Sequence, residues 1–386
     1  MIDLLRQEIA TLASTIVVKV GTRVLTKEGG GLDQDRIARL AEDIHQVLQT
    51  GRKVALVSSG AVGSGMGRLG LAKRPTDVSH LQAVAAVGQS LLVEAYERSL
   101  RAFGVHAAQI LLTADDLDNR TSYLNARNTI LTLMVEYNAV PIINENDTVS
   151  VEELQTTFGD NDRLAAIVTN LIQAPLLVLL SDVEGLYSGD PADPASSVIP
   201  TVERLDDAIF ELVRDRATGL SKGGMASKLQ AARQATTAGG SVIIASGRTP
   251  GVLARIIAGE PVGTLVLAQG QLIGARKRWI GLTAQSRGQL VLDDGARRAV
   301  ERQGRSLLAA GILKAVGRFN KGDVVALCDA AGKEFARGLT NYSSEDVLRI
   351  RGLKTAEIAQ TVGHCPYDEV VHRNNLMVTS CSPSEK

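Results

Sequence analysis

The sequence has few cysteines, few aromatic residues and no long apolar segment. Its three cysteines, Cys328, Cys365 and Cys381, are too few and too clustered to cross-link a chain of 386 residues, and their odd number favours a reducing compartment. No apolar run approaches the roughly 20 residues that span a bilayer. The first segment, MIDLLRQEIATLAST, has acidic residues where a secretory signal has basic ones. We therefore expect a cytoplasmic protein that does not bind membranes.

Acidic and basic residues are balanced along the chain. Lys plus Arg and Asp plus Glu each number 42, so the formal net charge is zero and no overall field attracts nucleic acid or an anionic membrane. Hydrophobic residues make up 45% of the chain, which is enough apolar material for about two or three cores. The composition therefore predicts a multidomain globular protein whose contacts with polyanions are at most local.

The first two thirds of the sequence alternate short β-branched runs with longer amphipathic segments. This alternation is typical of βαβ units around a parallel sheet, and strands that are apolar on both faces are expected to be fully buried. We therefore predict an α/β fold with an open, mostly parallel sheet sandwiched by helices and joined by right-handed crossovers. The predicted strands are residues 16–20, 54–57, 107–112, 140–143, 176–180 and 242–244, and the predicted helices are 35–48, 82–103, 123–137, 163–172 and 227–238.

The pattern changes after about residue 268, where AQGQLIGARKR has no apolar period. Short alternating segments follow, separated by the turn sequences Asp-Asp-Gly at 293–295, Lys-Gly-Asp at 321–323 and Ala-Gly-Lys at 331–333. We predict a first domain over residues 1–270, a smaller, mostly β domain over 277–376, and a disordered tail over 377–386.

Two of the predicted strands end in turns suited to anions, at the edge of the sheet where open α/β folds bind ligands. Lys19 stands near the end of the first strand, and Gly21 lets the backbone turn beneath an anion. The second strand is followed by SSGAVGSGMG, in which Ser58 and Ser59 add hydroxyl groups to exposed N–H groups. A solvated lysine at a strand end explains Lys19 equally well when it is taken alone.

The second turn also contains Gly65, Gly67 and Gly70 in the GxGxxG spacing of dinucleotide-binding proteins. That fingerprint needs its first glycine in the tight turn directly after the strand. The predicted strand ends near Ser58, well before Gly65, so the context argues against a dinucleotide site.

Two clusters of carboxyl and amide side chains follow along the chain. The first is Asn144, Glu145, Asn146 and Asp147, after the strand VPIIN, and the second is Asp160, Asn161 and Asp162, at the start of a predicted helix. Ordinary turns and helix caps explain either cluster alone, because Asn and Asp satisfy backbone groups locally and the helix dipole stabilises acids at an N-terminus. Two clusters at one edge of a sheet favour a site that binds an ammonium group and orients lysines on a phosphate.

A further pair of segments is SDVEGLYSGDP at 181–191 and GLSKGGMASK at 219–228. The second places Lys228 in the opening turn of a predicted helix, and a helix N-terminus with a lysine is a phosphate-binding arrangement. An ordinary flexible loop explains KGGMASK equally well by itself. The chain has no GxxxxGK[ST] motif, which excludes the P-loop class.

In this order, VVKVGT, SSGAVGSG, INEND, GDND, LSDVEGLY and GGMASKLQAA resemble the amino acid kinase family over nearly the whole chain. The similarity is greatest to the members that act on glutamate, and INEND followed by GDND and GGMxxK is its most specific part. The segment from about Lys277 to Leu376 resembles a PUA domain, including KRWI at 277–280 and GILKAVGRFNKGD at 311–323. The resemblance implies an amino acid kinase fold followed by a PUA domain.

The resemblance also implies an activity: ATP-dependent phosphorylation of the γ-carboxylate of L-glutamate to L-glutamyl 5-phosphate, the first step of proline biosynthesis. Mg²⁺ is expected to bind mainly to the ATP phosphates, and we predict no protein ligand for it. Similar enzymes are dimers or tetramers inhibited by proline, so we expect both properties. The alternatives are an N-acetylglutamate or carbamate kinase of the same family, an NAD-dependent dehydrogenase suggested by GxGxxG, and an RNA-binding protein suggested by the second domain.

The resemblance assigns roles to individual residues. Lys19 and Lys228 would contact the transferring phosphoryl group, and Asp162 would hold both ammonium groups. Ser59, Asn144, Asp147 and Asn161 would bind glutamate, with Asp147 paired with its α-ammonium group. The ATP-binding residues would be Lys19, Ser181, Asp182, Lys222, Gly223, Gly224, Met225, Ala226, Ser227 and Lys228. Ser181 and Lys222 stand where family members have threonine, and the charge of Lys222 is expected to alter nucleotide affinity.

Two other groups of residues have simpler explanations than a site. His364, Cys365, His372 and Cys381 contain zinc-ligand types, but the spacing H-C-x6-H-x8-C matches no usual structural zinc pattern. The run Arg276, Lys277 and Arg278 beside Trp279 has the composition of an RNA contact, as in PUA domains of other proteins. Solvated charges at a domain hinge explain that run more simply, so we predict no metal site and keep RNA binding as an alternative.

Overall fold

The computed structural model describes residues 3–27, 31–149, 161–213, 224–269, 277, 279–354, 357–358, 361 and 367–379. The chain divides into two compact units, Met1–Leu272 and Ile273–Lys386. We call these the first and the second unit.

The first unit is built on an eight-stranded sheet with the strand order β3-β4-β2-β1-β5-β7-β8-β6. All neighbouring strands are parallel except β7 and β8, which confirms the predicted open, mostly parallel sheet. The strands are β1 (Thr15–Val20), β2 (Lys53–Ser58), β3 (His106–Leu112), β4 (Ala139–Glu145), β5 (Leu176–Ser181), β6 (Thr201–Val202), β7 (Ser241–Ser246) and β8 (Thr264–Val266).

The five predicted helices of this unit are all present. The helices are α1 (Leu4–Leu12), α2 (Thr22–Leu25), α3 (Gln34–Gln49), α4 (Ala61–Leu69), α5 (Val78–Arg101), α6 (Ala114–Asp118), α7 (Arg120–Val135), α8 (Asn161–Ile172), α9 (Asp207–Glu211), α10 (Met225–Thr237) and α11 (Val252–Ile257). Helix α5 begins four residues before the predicted start because Asp77 caps it, accepting a hydrogen bond from the N–H of His80 at 3.0 Å. Asn119 caps α7 in the same way.

The predicted burial of the strands is wrong for β3. Among the strands that the structure describes, β3 pairs only with β4 and forms one edge of the sheet, and His106 and Gln109 are exposed to solvent. The other predicted strands lie between two neighbours and are buried on both faces. An apolar run such as AAQILL therefore does not distinguish a central strand from an edge strand.

Helices α4 and α5 pack with their backbones in direct contact. A Cβ atom added to Gly65 would lie 1.9 Å from the carbonyl oxygen of Val84, and one added to Gly88 would lie 1.8 Å from that of Ala61. Gly65 and Gly67 lie inside α4, and Gly70 ends it. Gly65 therefore serves helix packing and Gly70 ends the helix, so these glycines do not form the phosphate-binding turn that a dinucleotide site needs.

The second unit contains a five-stranded sheet with the order β10-β9-β11-β12-β13. Only β9 and β11 are parallel, so the sheet is mostly antiparallel and confirms the predicted mostly β domain. Its elements are a π-helix (Trp279–Thr283), β9 (Gly288–Leu292), α12 (Asp294–Glu301), a short 3-10 helix (Ala309–Gly311), β10 (Ile312–Gly317), β11 (Val324–Cys328), β12 (Glu334–Thr340), α13 (Ser344–Ile350) and β13 (Val371–Val378). Phe335, Tyr342 and Val347 lie in its core.

Candidate active site

Three charged side chains from separate elements meet in the interior of the first unit. Lys19 comes from β1, Asp162 from the first turn of α8, and Lys228 from the first turn of α10. The Nζ of Lys19 lies 2.6 Å from Oδ1 of Asp162, and the Nζ of Lys228 lies 3.0 Å from Oδ2. Asp162 is fully buried, while Lys19 and Lys228 are 2% and 5% exposed. We call these three residues the lysine–aspartate cluster.

The charges of this cluster do not balance. Buried charges are costly unless they are paired, and Asp162 supplies one negative charge for two ammonium groups. The three side chains of the cluster therefore carry a formal charge of +1 in a site with little water, where an electrostatic interaction with an anion is strong. This is the charge expected of a site that receives a phosphate group.

The N-terminus of α10 adds backbone donors beside Lys228. Its N-cap residue, Gly224, has no side chain that could cap the helix, so among the described residues the N-cap leaves the first N–H groups to an anion. Met225, Ala226 and Ser227 form the first turn and are partly exposed. These residues fit the phosphates of a nucleotide; Lys222 and Gly223, also predicted to bind ATP, lie outside the described residues.

A chain of buried amide groups lies at the ends of β2 and β4. The Nδ2 of Asn161 donates to Oγ of Ser59 and to Oδ1 of Asn144, both at 2.9 Å. The Nδ2 of Asn144 in turn donates to Oε1 of Gln89 at 2.8 Å. We call these four residues the amide chain. Three were predicted as substrate-binding residues, whereas Gln89 was not, because its only signal is a polar residue on the apolar face of α5.

Three residues of the amide chain, Ser59, Asn144 and Asn161, line one wall of a cavity of about 140 Å³, and Gln89 contacts that wall through Asn144. The cavity is also lined by residues 60–63 at the start of α4 and by Thr22, Arg74, Glu145 and Asp147. Gly60 lies in the left-handed region at φ 112°, which favours glycine at the point where the chain turns from β2 into α4. The lining is mostly polar and contains two carboxyl groups, which suits a small ligand with an ammonium group.

Asp147 has a perturbed acidity in this cavity. Burial raises the pKa of Asp147 to about 6, and the positive charge of Arg74 opposes the shift. The carboxyl group is therefore ionised at neutral pH, but at a cost in free energy that an ammonium group of a ligand would reduce.

Ser181 and Asp182 lie one strand away from Lys19, at the end of β5 next to β1. The Oγ of Ser181 donates to Oδ1 of Asp182 at 3.2 Å, and Nη1 of Arg23 donates to Oδ2 at 3.2 Å. Burial raises the pKa of Asp182, but the hydrogen bonds from Arg23 and Ser181 outweigh it and hold the pKa below its ordinary value. The carboxylate thus stays charged at the rim of the sheet.

Several predicted residues lie outside the described residues: Asp160, Arg276, Arg278, His364, Cys365, Cys381 and the end of the predicted tail from 380 onward. Trp279, the aromatic residue of the basic run, is 6% exposed and packs inside the second unit, which does not suit stacking on an RNA base. Over the described ranges, no helix has the length and apolar character needed to cross a membrane.

Comparison with known proteins identifies the family of this chain. The model of the amino acid kinase family matches residues 14–246, and that of the PUA domain matches residues 288–362. The chain belongs to the amino acid kinase family. Its relatives include proteins named glutamate 5-kinase: one from Rhodopirellula baltica is 49% identical over 374 residues, which cover 97% of this chain and 96% of that protein.

A second relative of that name, from Syntrophotalea carbinolica, is 46% identical over 375 residues, covering 97% of this chain and all of that protein. Among solved structures, UMP kinase from Bacillus anthracis is 14% identical with a TM-score of 0.45, covering 66% of this chain and 96% of that one.

Proposed function

We propose that this chain has the activity for which its relatives are named, glutamate 5-kinase. It transfers the γ-phosphoryl group of ATP to the γ-carboxylate of L-glutamate, with L-glutamyl 5-phosphate and ADP as products. The observation that carries the proposal is the lysine–aspartate cluster, in which one buried carboxylate at the start of α8 holds the ammonium groups of two lysines. Asn161, which belongs to the amide chain of the cavity, directly precedes Asp162 in α8.

Phosphoryl transfer depends mainly on positioning and on neutralising the charge that develops on the transferring oxygens. Lys19 and Lys228 supply two ammonium groups whose positions are fixed by one shared carboxylate. Asp162 is a positioning residue in this scheme, since both of its oxygens are occupied by lysines. Mg²⁺ carried by the ATP phosphates would neutralise part of the same charge.

Glutamate is proposed to occupy the cavity beside the amide chain. Asp147 would pair with the α-ammonium group, and Ser59 and Asn161 would hydrogen-bond the substrate. The nucleotide would contact Ser181, Asp182 and the first turn of α10, together with Lys222 and Gly223. Inhibition by proline and assembly into a homo-oligomer stay predictions from the family resemblance.

The proposal is tested with purified protein, Mg²⁺-ATP, L-glutamate and hydroxylamine, which traps an acyl phosphate as the γ-hydroxamate. We expect hydroxamate and ADP in equal amounts with glutamate and little product with aspartate. Aspartate is one methylene shorter, and a displacement of about 1 Å at the reacting atom costs roughly 10²-fold. Preference for N-acetylglutamate or carbamate would contradict the assignment to glutamate, because neither offers Asp147 an ammonium group.

A further inference from the structure

One face of α5 supports the proposed glutamate cavity from behind. Gly88 brings α5 into contact with the backbone of Ala61 at the start of α4. The next residue, Gln89, accepts the hydrogen bond from Asn144. Two turns further on, the hydroxyl of Tyr96 lies 3.0 Å from Oγ of Ser58. One helix thus contacts two residues of the cavity wall, Ala61 and Asn144, and also Ser58, which directly precedes the lining residue Ser59. Gln89 is its contact with the amide chain.

Asn161 donates to both of its neighbours in the amide chain, and Asn144 donates in turn to Gln89. Both N–H groups of Asn161 are used, one by Ser59 and one by Asn144, so its Oδ1 is the atom left for a ligand. Because Ser59 accepts from Asn161, its own O–H proton is available as a donor. The cavity therefore offers an acceptor suited to an ammonium group and a donor suited to a carboxylate.

The orientation of the Asn144 and Asn161 amides depends on Gln89, the residue at the end of the amide chain. An amide side chain can be turned over so that its oxygen and nitrogen exchange places with almost no change of shape. The Oε1 of Gln89 accepts from Nδ2 of Asn144, which leaves Oδ1 of Asn144 to face Asn161. Without that acceptor, Asn144 loses the contact that distinguishes its two orientations. Asn161 is then affected as well, because its own orientation depends on which atom of Asn144 faces it.

Burying the amide of Gln89 costs free energy, and packing alone does not explain why a polar side chain stands at this position. Its side chain is 9% exposed, and its Nε2 has no hydrogen-bond partner among the residues that the structure describes. An unpaired buried donor is unfavourable, and an apolar side chain of similar length would avoid it. The acceptor function of Oε1 gives a reason for an amide at this place.

We propose that Gln89 is a positioning residue for the substrate: it sets the orientation of Asn144 and Asn161 and thereby the pattern of donors and acceptors that recognises glutamate. This inference rests on the proposed function. It predicts that a substitution of Gln89 weakens the binding of glutamate and leaves ATP binding and folding nearly unchanged.

Two variants and a control test the inference. Gln89→Met removes the acceptor and keeps the length of the side chain, whereas Gln89→Glu keeps an acceptor oxygen toward Asn144. Gln46→Met makes the same chemical change at an exposed position of α3 and is the matched control. The glutamate KM, the ATP KM, kcat and the melting temperature are measured for each full-length protein with the hydroxamate assay.

We expect Gln89→Met to raise the glutamate KM about tenfold, the effect of losing one oriented hydrogen bond. The ATP KM should stay within twofold. The melting temperature should stay within a few degrees, because an unpaired donor on Asn144 replaces the one on Gln89. Gln89→Glu should recover most of the glutamate KM, and Gln46→Met should match the wild type.

Several results would overturn the inference. An unchanged glutamate KM in Gln89→Met contradicts it, as does a large fall in melting temperature with equal changes in both KM values, which indicates a purely structural role. A Gln89→Glu variant as impaired as Gln89→Met also contradicts it. If the wild type itself makes no γ-hydroxamate, the proposed function fails and this inference with it, whereas an active wild type with an insensitive Gln89 removes only the inference.

Discussion

Replacing Asp162 by asparagine should show how strongly the lysine–aspartate cluster depends on its one carboxylate. The substitution keeps the shape of the side chain and removes the negative charge between the ammonium groups of Lys19 and Lys228. An amide offers one oxygen, so one of the two contacts between the lysines and residue 162 loses its acceptor, and that ammonium group faces an N–H donor. Asp162 is fully buried, so little water reaches the position of the lost carboxylate oxygen.

The size of the effect follows from the burial of the cluster. Removing one partner of a buried ion pair costs about 3–5 kcal/mol, because it leaves an uncompensated charge in the interior. In a unit of this size each kcal/mol lowers the melting temperature by about 2–4 °C, so Asp162→Asn should melt roughly 6–20 °C below the wild type. Inorganic phosphate and ATP should raise the melting temperature of the variant more than that of the wild type, since each ligand supplies the missing negative charge.

The assay is a thermal melt of the full chain with and without phosphate, together with kcat. The matched control is Glu260→Gln, which breaks an equally short ion pair with Arg255, at 2.6 Å, between side chains that are nearly half exposed. Exposed pairs contribute up to about 1 kcal/mol, so the control should lose at most about 4 °C and keep its activity. An Asp162→Asn protein that has the melting temperature and the kcat of the wild type would refute the role assigned to the cluster.

Three further predictions concern residues around the same site. Lys228→Ala should lower kcat by about 10²-fold or more with little change in the glutamate KM, and an unchanged kcat in steady-state assays would remove Lys228 from the chemistry. Because burial raises the pKa of Asp147 to about 6 and the ionised form binds the α-ammonium group, kcat/KM for glutamate should fall as the pH is lowered through 6. Asp147→Asn should reduce kcat/KM at pH 8 and remove that step from the pH profile; a step that persists belongs to another group. Gly88→Ala places a Cβ atom 1.8 Å from the carbonyl oxygen of Ala61, so it should separate α4 from α5 and both lower the melting temperature and raise the glutamate KM, whereas wild-type values would show that the helices adjust freely.

The central part of the fold could be predicted from the sequence because its signals are local. Buried parallel strands such as β1 and β5 are continuous apolar runs, and the amphipathic period of α3 and α5 extends over many turns. The strands β6 and β8 were missed because they have two and three residues, too few for any period. The edge position of β3 depends on which strands pair with it, and its own residues do not contain that information.

The sequence predicts which residue types form the candidate site better than it predicts the contacts among them. Lys19, Asp162 and Lys228 stand at strand ends and helix starts, so their common location at one edge of the sheet follows from the fold class and the family motifs. Gln89 could not be predicted in this way. It lies in the middle of a long helix, far from any turn, and its role depends on the contact between α5 and Asn144 at the end of β4.

The most direct test of the account follows the oxygen atom that attacks ATP. L-Glutamate labelled with ¹⁸O in its γ-carboxylate is incubated with the protein, Mg²⁺-ATP and hydroxylamine, and the released phosphate is analysed by mass spectrometry. If the carboxylate attacks the γ-phosphorus, hydroxylamine displaces phosphate from the acyl carbon, and each phosphate carries one ¹⁸O from glutamate. Release of ADP with unlabelled phosphate would contradict the account, because it would show that water, and not glutamate, accepts the phosphoryl group.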